Sequence, residues 1–293
     1  VISMLAAANL IIVIGTGLAA SPRAHGAVQR SALAPAARLI QMVSADDVAA
    51  VQAECLSKIE ASFKLSERDF ADTLDCASWS AGEQSGDIKG WAGEPKLGWV
   101  TSAVMRGSAG ACTTELSAWV APSYDLPHLL QQIELLASGE LVLKLDYIAR
   151  YDLPSDPQYL QEYYLSIAGW RDEVIGSVEG AALSSAQPDL FTRCISSPMQ
   201  LSLVLPGTDE ALAAVKTACV AHVERWVGHW EGAAEVNRMK RGGLFSRDTK
   251  MHRMRFQSHA DSLAATGLEA ALAERVAQAL VGPGDEQYVG QAS

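Results

Sequence analysis

The chain has 293 residues, a formal net charge of −11 and 49% hydrophobic residues. That is apolar mass enough for a sizeable core, and 19% charged residues are too few for a disordered acidic chain. The acidic balance argues against a dedicated nucleic-acid binder, and five scattered cysteines without a CxxC pair argue against a disulfide framework, a zinc ribbon or an iron–sulfur cluster.

Residues 1–20 carry no charged side chain and include Leu10-Ile11-Ile12-Val13-Ile14, about the length of a membrane span but diluted by Gly15, Gly17 and alanines. Residues 21–44 hold Arg23, Arg30 and Arg38 and no acid. Residues 1–44 therefore read as a targeting peptide, or as a membrane anchor with a basic flank, plus a linker. Residues 45–293 read as one domain.

Within it, Val48, Val51, Cys55, Ile59 and Phe63 recur every three or four residues and predict a helix over 45–65. Residues 66–97 read as irregular. Strand-like runs follow at 99–106, 113–120, 128–135 and 140–148, joined by short glycine turns, which implies an antiparallel meander. A helix is expected over 156–175, then strands at 190–196 and 199–205 broken at Ser197-Pro198. Thr208-Asp209-Glu210 opens a long helix with Leu212, Val215, Cys219, Val223, Trp226 and Trp230 on its buried stripe. A last helix is expected over 262–280. This order predicts an α/β/α sandwich: a central antiparallel sheet of about six strands with helices on both faces.

No dinucleotide, phosphate-loop, zinc-protease or nucleophile-elbow motif is present. His222 and His229 lie seven apart on one helical face but lack a carboxylate near both, so no metal site is expected. Residues 238–255 hold seven basic residues against one acid. That is a local charge of +6, so the rest of the chain carries −17 of the total −11. Such a patch suits an acidic partner or ligand carboxylates.

The run from Glu140 to Asp146, continuing through Asp156-Pro157 to Tyr163-Tyr164, resembles the plant red chlorophyll catabolite reductases. Leu190-Phe191-Thr192-Arg193 with Ser197-Pro198, and Arg247 to Arg253 followed by Glu274-Arg275-Val276, are similar to later stretches of the same family. Tyr124 to Gln132 is similar to a strand of the related ferredoxin-dependent bilin reductases. The resemblance implies an α/β/α sandwich in a plastid, in the stroma or on the stromal face of the thylakoid. It implies an open-chain tetrapyrrole between the sheet and the C-terminal helices. It also implies electrons from reduced ferredoxin and no tightly bound metal or flavin.

The resemblance also assigns roles. One family acid aligns with Gln132, an amide that binds ligand but cannot donate a proton at neutral pH. A second aligns with His259, two residues before Asp261. The bilin reductases' catalytic histidine aligns with Glu115. Glu115, His259 and Asp261 are then the expected catalytic residues, with Gln132, His128, Trp119, Arg253 and Arg255 holding the ligand. Residues 238–255 are expected to dock ferredoxin, and residues 1–20 to touch a thylakoid membrane or photosystem. The rival expectation is a non-catalytic tetrapyrrole-binding or structural subunit of a photosynthetic complex. Strand alternation puts Glu115, Ser117 and Trp119 on one face, and Leu130, Gln132 and Glu134 on one face, so Glu115 and Gln132 are expected in one cavity.

Overall fold

The computed structural model describes residues 43–68, 74–93, 95–186 and 188–283. The expectations for residues 1–20 lie outside these. Ser44 starts α1 (Ala45–Ser62) with a capping box. Its Oγ accepts from the Asp47 N–H at 3.2 Å, and the Asp47 carboxylate accepts from the Ser44 N–H at 2.9 Å. The stripe of Val48, Val51, Cys55 and Ile59 is buried, as is Phe63 just beyond the helix.

Residues 66–97 are not irregular. They form β1 (Ser66–Arg68), β2 (Ser78–Ala81) and β3 (Gln84–Gly93). Glycines at 86, 90 and 93 mask the strand pattern of β3. Gly86 is required by packing: a Cβ there would lie 2.5 Å from the Trp79 indole nitrogen on the paired strand.

The expected meander follows as β4 (Leu97–Arg106), β5 (Cys112–Val120), β6 (His128–Leu135) and β7 (Leu141–Ile148). The helix expected over 156–175 is broken into α2 (Pro157–Tyr163), a 3-10 turn and α3 (Ala168–Gly176). Tyr164 leaves helical geometry at φ −122°, and its buried hydroxyl donates to the Tyr147 carbonyl at 2.8 Å. That anchor fixes the break.

After the two-residue β8 (Ala182–Leu183), the strand expected at 190–196 is instead α4 (Leu190–Ile195). Asp189 overrides the strand-favouring residues: its Oδ1 accepts from the Phe191 and Thr192 N–H groups at 2.8 and 3.1 Å. β9 (Leu201–Leu205) precedes α5 (Asp209–Gly228), whose cap is Thr208. The C-terminal helix is longer than expected and split in two. Asn237 caps α6 (Arg238–Ala265), so the basic run is helical. Gly267, at φ 88°, ends that segment, and Glu269 caps α7 (Ala270–Val281).

Among the described residues the sheet has nine strands, not six, in the order β1-β3-β4-β5-β6-β7-β9-β8, with β2 also on β3; all neighbours are antiparallel. One face packs its Leu116, Leu129, Ile133, Leu143 and Leu203 against α1 and α5. The other packs Ile88 and Ala103 under α7 and Trp99, Trp119 and Ile148 under Met251 of α6. Helices thus cover both faces, and the second face carries the cavity described next.

Candidate functional site

A cavity of about 670 Å³ opens between the second face of the sheet and α6, with α4 and the segment before it forming a side wall. Sites for small molecules typically span about 300–1,000 Å³. Its floor consists of two cross-strand rows. Glu115 pairs with Gln132 and Gln132 with Lys144, while Leu130 pairs with Asp146. Period-two alternation therefore brings Glu115, Gln132, Lys144 and Asp146 to one wall.

From above, α6 contributes Arg255, His259 and Asp261. Residues 255 and 259 are one turn apart and so share a helix face. Arg255 Nη2 donates to Glu115 Oε1 at 2.5 Å, and His259 Nε2 lies 3.5 Å from the same oxygen. Both side chains of the Glu115–Arg255 pair are at least 96% buried. Burial alone would raise the Glu115 carboxyl, but His259 and Arg255 outweigh it and hold it at about 2. Glu115 is therefore a carboxylate at neutral pH. The Arg255 guanidinium beside it disfavours the protonated form that direct proton donation by Glu115 would require. His259, one-fifth exposed, also lines the cavity. Asp261 lies at the exposed rim, where its Oδ1 accepts from Gln257 at 2.8 Å.

Two expected ligand contacts lie behind the wall instead. Trp119 is fully buried, stacks on Trp99 with centroids 5.1 Å apart, and supports the Arg255 guanidinium at 5.5 Å. His128 is also fully buried. Its Nδ1 accepts from the Val120 N–H at 3.0 Å, which leaves Nε2 to donate to Asp248 Oδ1 at 3.1 Å. Asp248 is held in turn by Arg150, through Nε at 3.0 Å and Nη2 at 2.5 Å. Burial pushes the His128 imidazole down to about 4, so it is neutral. These residues shape the cavity without lining it. Arg253 is exposed and does not line it either, since two residues along a helix turn it away from Arg255.

Sequence reasoning missed Asp146. It lines the cavity and is 97% buried, with Oδ1 accepting from the Ser197 hydroxyl at 2.5 Å and Oδ2 from the Ser197 N–H at 3.0 Å. Burial raises this carboxyl to about 7 despite both bonds from Ser197. The signal was available: the same alternation that pairs Glu115 with Gln132 puts Lys144 and Asp146 on the cavity side of a leucine-rich strand.

Among solved structures the chain is similar to phytochromobilin synthase from tomato, crystallised in complex with biliverdin, at a TM-score of 0.64 and 13% identity over 84% of each chain. At that identity the likeness establishes the fold, a large antiparallel sheet between helices. No curated protein matches the chain in sequence. The model of the red chlorophyll catabolite reductase family matches residues 97–280, well over half of the chain, from the first strand of the meander through α7, and the chain belongs to that family.

Proposed function

We propose that this protein binds an open-chain tetrapyrrole in the cavity between β5–β7 and α6 and reduces one of its double bonds with single electrons from reduced ferredoxin. The observation that carries the reading is the cavity wall itself: a buried Glu115–Arg255–His259 cluster facing Gln132, between sheet and C-terminal helices, in a chain of this family. A fold shared with a protein crystallised around biliverdin supports the same ligand class. In this reading the Gln132 amide hydrogen-bonds pyrrole N–H or lactam groups, Glu115 fixes Arg255 and His259, and His259 delivers a proton while Asp261 lies at the rim. The substrate accepts the electrons itself, so no tightly bound metal or flavin is needed. The same reading puts the protein in a plastid, in the stroma or at the stromal face of the thylakoid.

Gln132 favours a second reading, because it puts an amide where the family carries an acid. The protein would then hold the pigment without reducing it, as a membrane-associated subunit of a photosynthetic complex.

Titrating the purified protein with biliverdin, then adding ferredoxin and a reducing system, separates the two. We expect a saturable shift of the pigment absorbance, followed by loss of one double bond. Binding without reduction selects the second reading, and no binding overturns both.

A further inference from the structure

Asp146 is not used by the reading above, yet it occupies the cavity floor. It lies one row along and two strands across from Glu115, about 12 Å away by sheet spacings. The charged and titratable groups around the same cavity are Lys144 on its own strand, Glu115 on β5, Arg255, His259 and Asp261 on α6, and Asp189 beside α4. Their nearest recorded partners are one another or other residues. Lys144 donates to Glu134, Arg255 to Glu115, and Asp189 accepts from Thr192 and Ser258. Among the described residues no cation is paired with the Asp146 carboxyl. Its carboxyl accepts from the N–H and hydroxyl of Ser197, at the turn leading into β9, and from the Tyr147 backbone, all of them neutral donors. A buried carboxyl without a counter-ion favours its neutral, protonated form.

We propose that Asp146 is a proton donor of this cavity, supplying one of the two protons that reduction of the pigment requires; the inference rests on the functional reading above. The balance is complete. One electron from a reduced iron–sulfur protein makes the bound pigment a radical anion. The Asp146 O–H bond breaks, its proton forms a new bond on the pigment, and the carboxylate is left behind. A second electron and a proton from His259 complete a net addition of two electrons and two protons across one double bond. Solvent then reprotonates both groups. Burial raises the Asp146 pKa to about 7, so a substantial protonated fraction persists near neutral pH and the group is a competent donor. The separation of Asp146 from Glu115, against which His259 lies, lets the two protons arrive at different parts of one elongated ligand.

The test joins a property of the ligand-free protein with a property of the reaction. In the infrared spectrum of the ligand-free protein, a protonated-carboxylic-acid band should titrate away near pH 7, and Asp146→Asn should abolish it. With biliverdin bound, Asp146→Asn should leave the binding titration nearly unchanged and slow reduction at least about tenfold. Ser197→Ala guards against a purely structural effect. It removes a hydrogen bond that favours the carboxylate, so the alkaline limb of the pH–rate profile should move upward. A structural role for Asp146 would change the amplitude and leave that limb in place. An Asp146 already ionised at pH 6, or an Asp146→Asn variant that reduces pigment at the wild-type rate, overturns the inference alone. A wild type that fails to bind or to reduce any open-chain tetrapyrrole overturns the functional reading and the donor role together.

Discussion

Glu115 and Asp146 are carboxyls on one wall, and their neighbours drive them apart. Glu115 moves from an ordinary 4.5 to about 2, so the stability it contributes is present above pH 4.5 and is lost as pH falls through about 2. Asp146 moves from 3.8 to about 7, so its contribution is present below pH 3.8 and is lost as pH rises through about 7. Each unit is worth about 1.4 kcal/mol, so the two swings are of the order of 3 and 4 kcal/mol and opposite in sign. Asp146→Asn keeps the shape and removes the titration. Unfolding midpoints measured from pH 4 to pH 7 should therefore show the variant gaining on the wild type as pH rises; a constant offset would refute the raised carboxyl. Glu115→Gln should behave differently. It leaves Arg255 buried beside a neutral amide, and breaking a buried pair costs about 3–5 kcal/mol, which urea unfolding at pH 7 would read directly.

At the scale of elements, α4 shows how a wall of the cavity is held. Asp189 caps it through the Phe191 and Thr192 N–H groups and also accepts from the Ser258 hydroxyl on α6 at 2.8 Å. One side chain thus orders a six-residue helix and ties it to the helix that carries Arg255 and His259. Asp189→Ala should cost about 1 kcal/mol for the cap and somewhat more for the lost tie. It should also weaken biliverdin binding several-fold, seen in the same absorbance titration; unchanged affinity would show that the wall holds without it. This helix was illegible in the sequence because Leu190–Ile195 has strand-like composition and its cap outweighs propensity. The glycines of β3 and the Gly242-Gly243 pair inside α6 hid those elements in the same way. The meander from β4 to β7 was legible because alternation and short turns both point to it, and alternation also brought Glu115 and Gln132 together. Trp119 and His128 were misplaced for a reason local pattern does not carry. Only the fold brings Arg150 and Asp248 against His128, and that network turns its ring into the wall.

The whole molecule carries −11, with the seven basic residues of 238–255 as its main concentration of positive charge. The helix divides them. Arg255 is spent on Glu115, Arg247 turns inward to donate to the Ala149 carbonyl, Lys240 bonds Asp125 at 2.6 Å, and Arg241 lies 3.7 Å from Glu235. Arg238 and Lys250 are exposed, as is the Arg253 side chain, a smaller cationic surface than the linear count suggests. If ferredoxin docks there, the contact is between solvated charges. At about 0.1 M salt such charges are screened beyond roughly 10 Å, so electron delivery should fall steeply with ionic strength. Reversing Arg238 and Lys250 together to Glu should slow ferredoxin-driven reduction several-fold and leave the biliverdin titration unchanged. Arg247→Glu should instead damage the fold, because its guanidinium holds the chain end of β7 from within. Turnover that ignores both salt and the double reversal would remove this face of α6 as the docking surface.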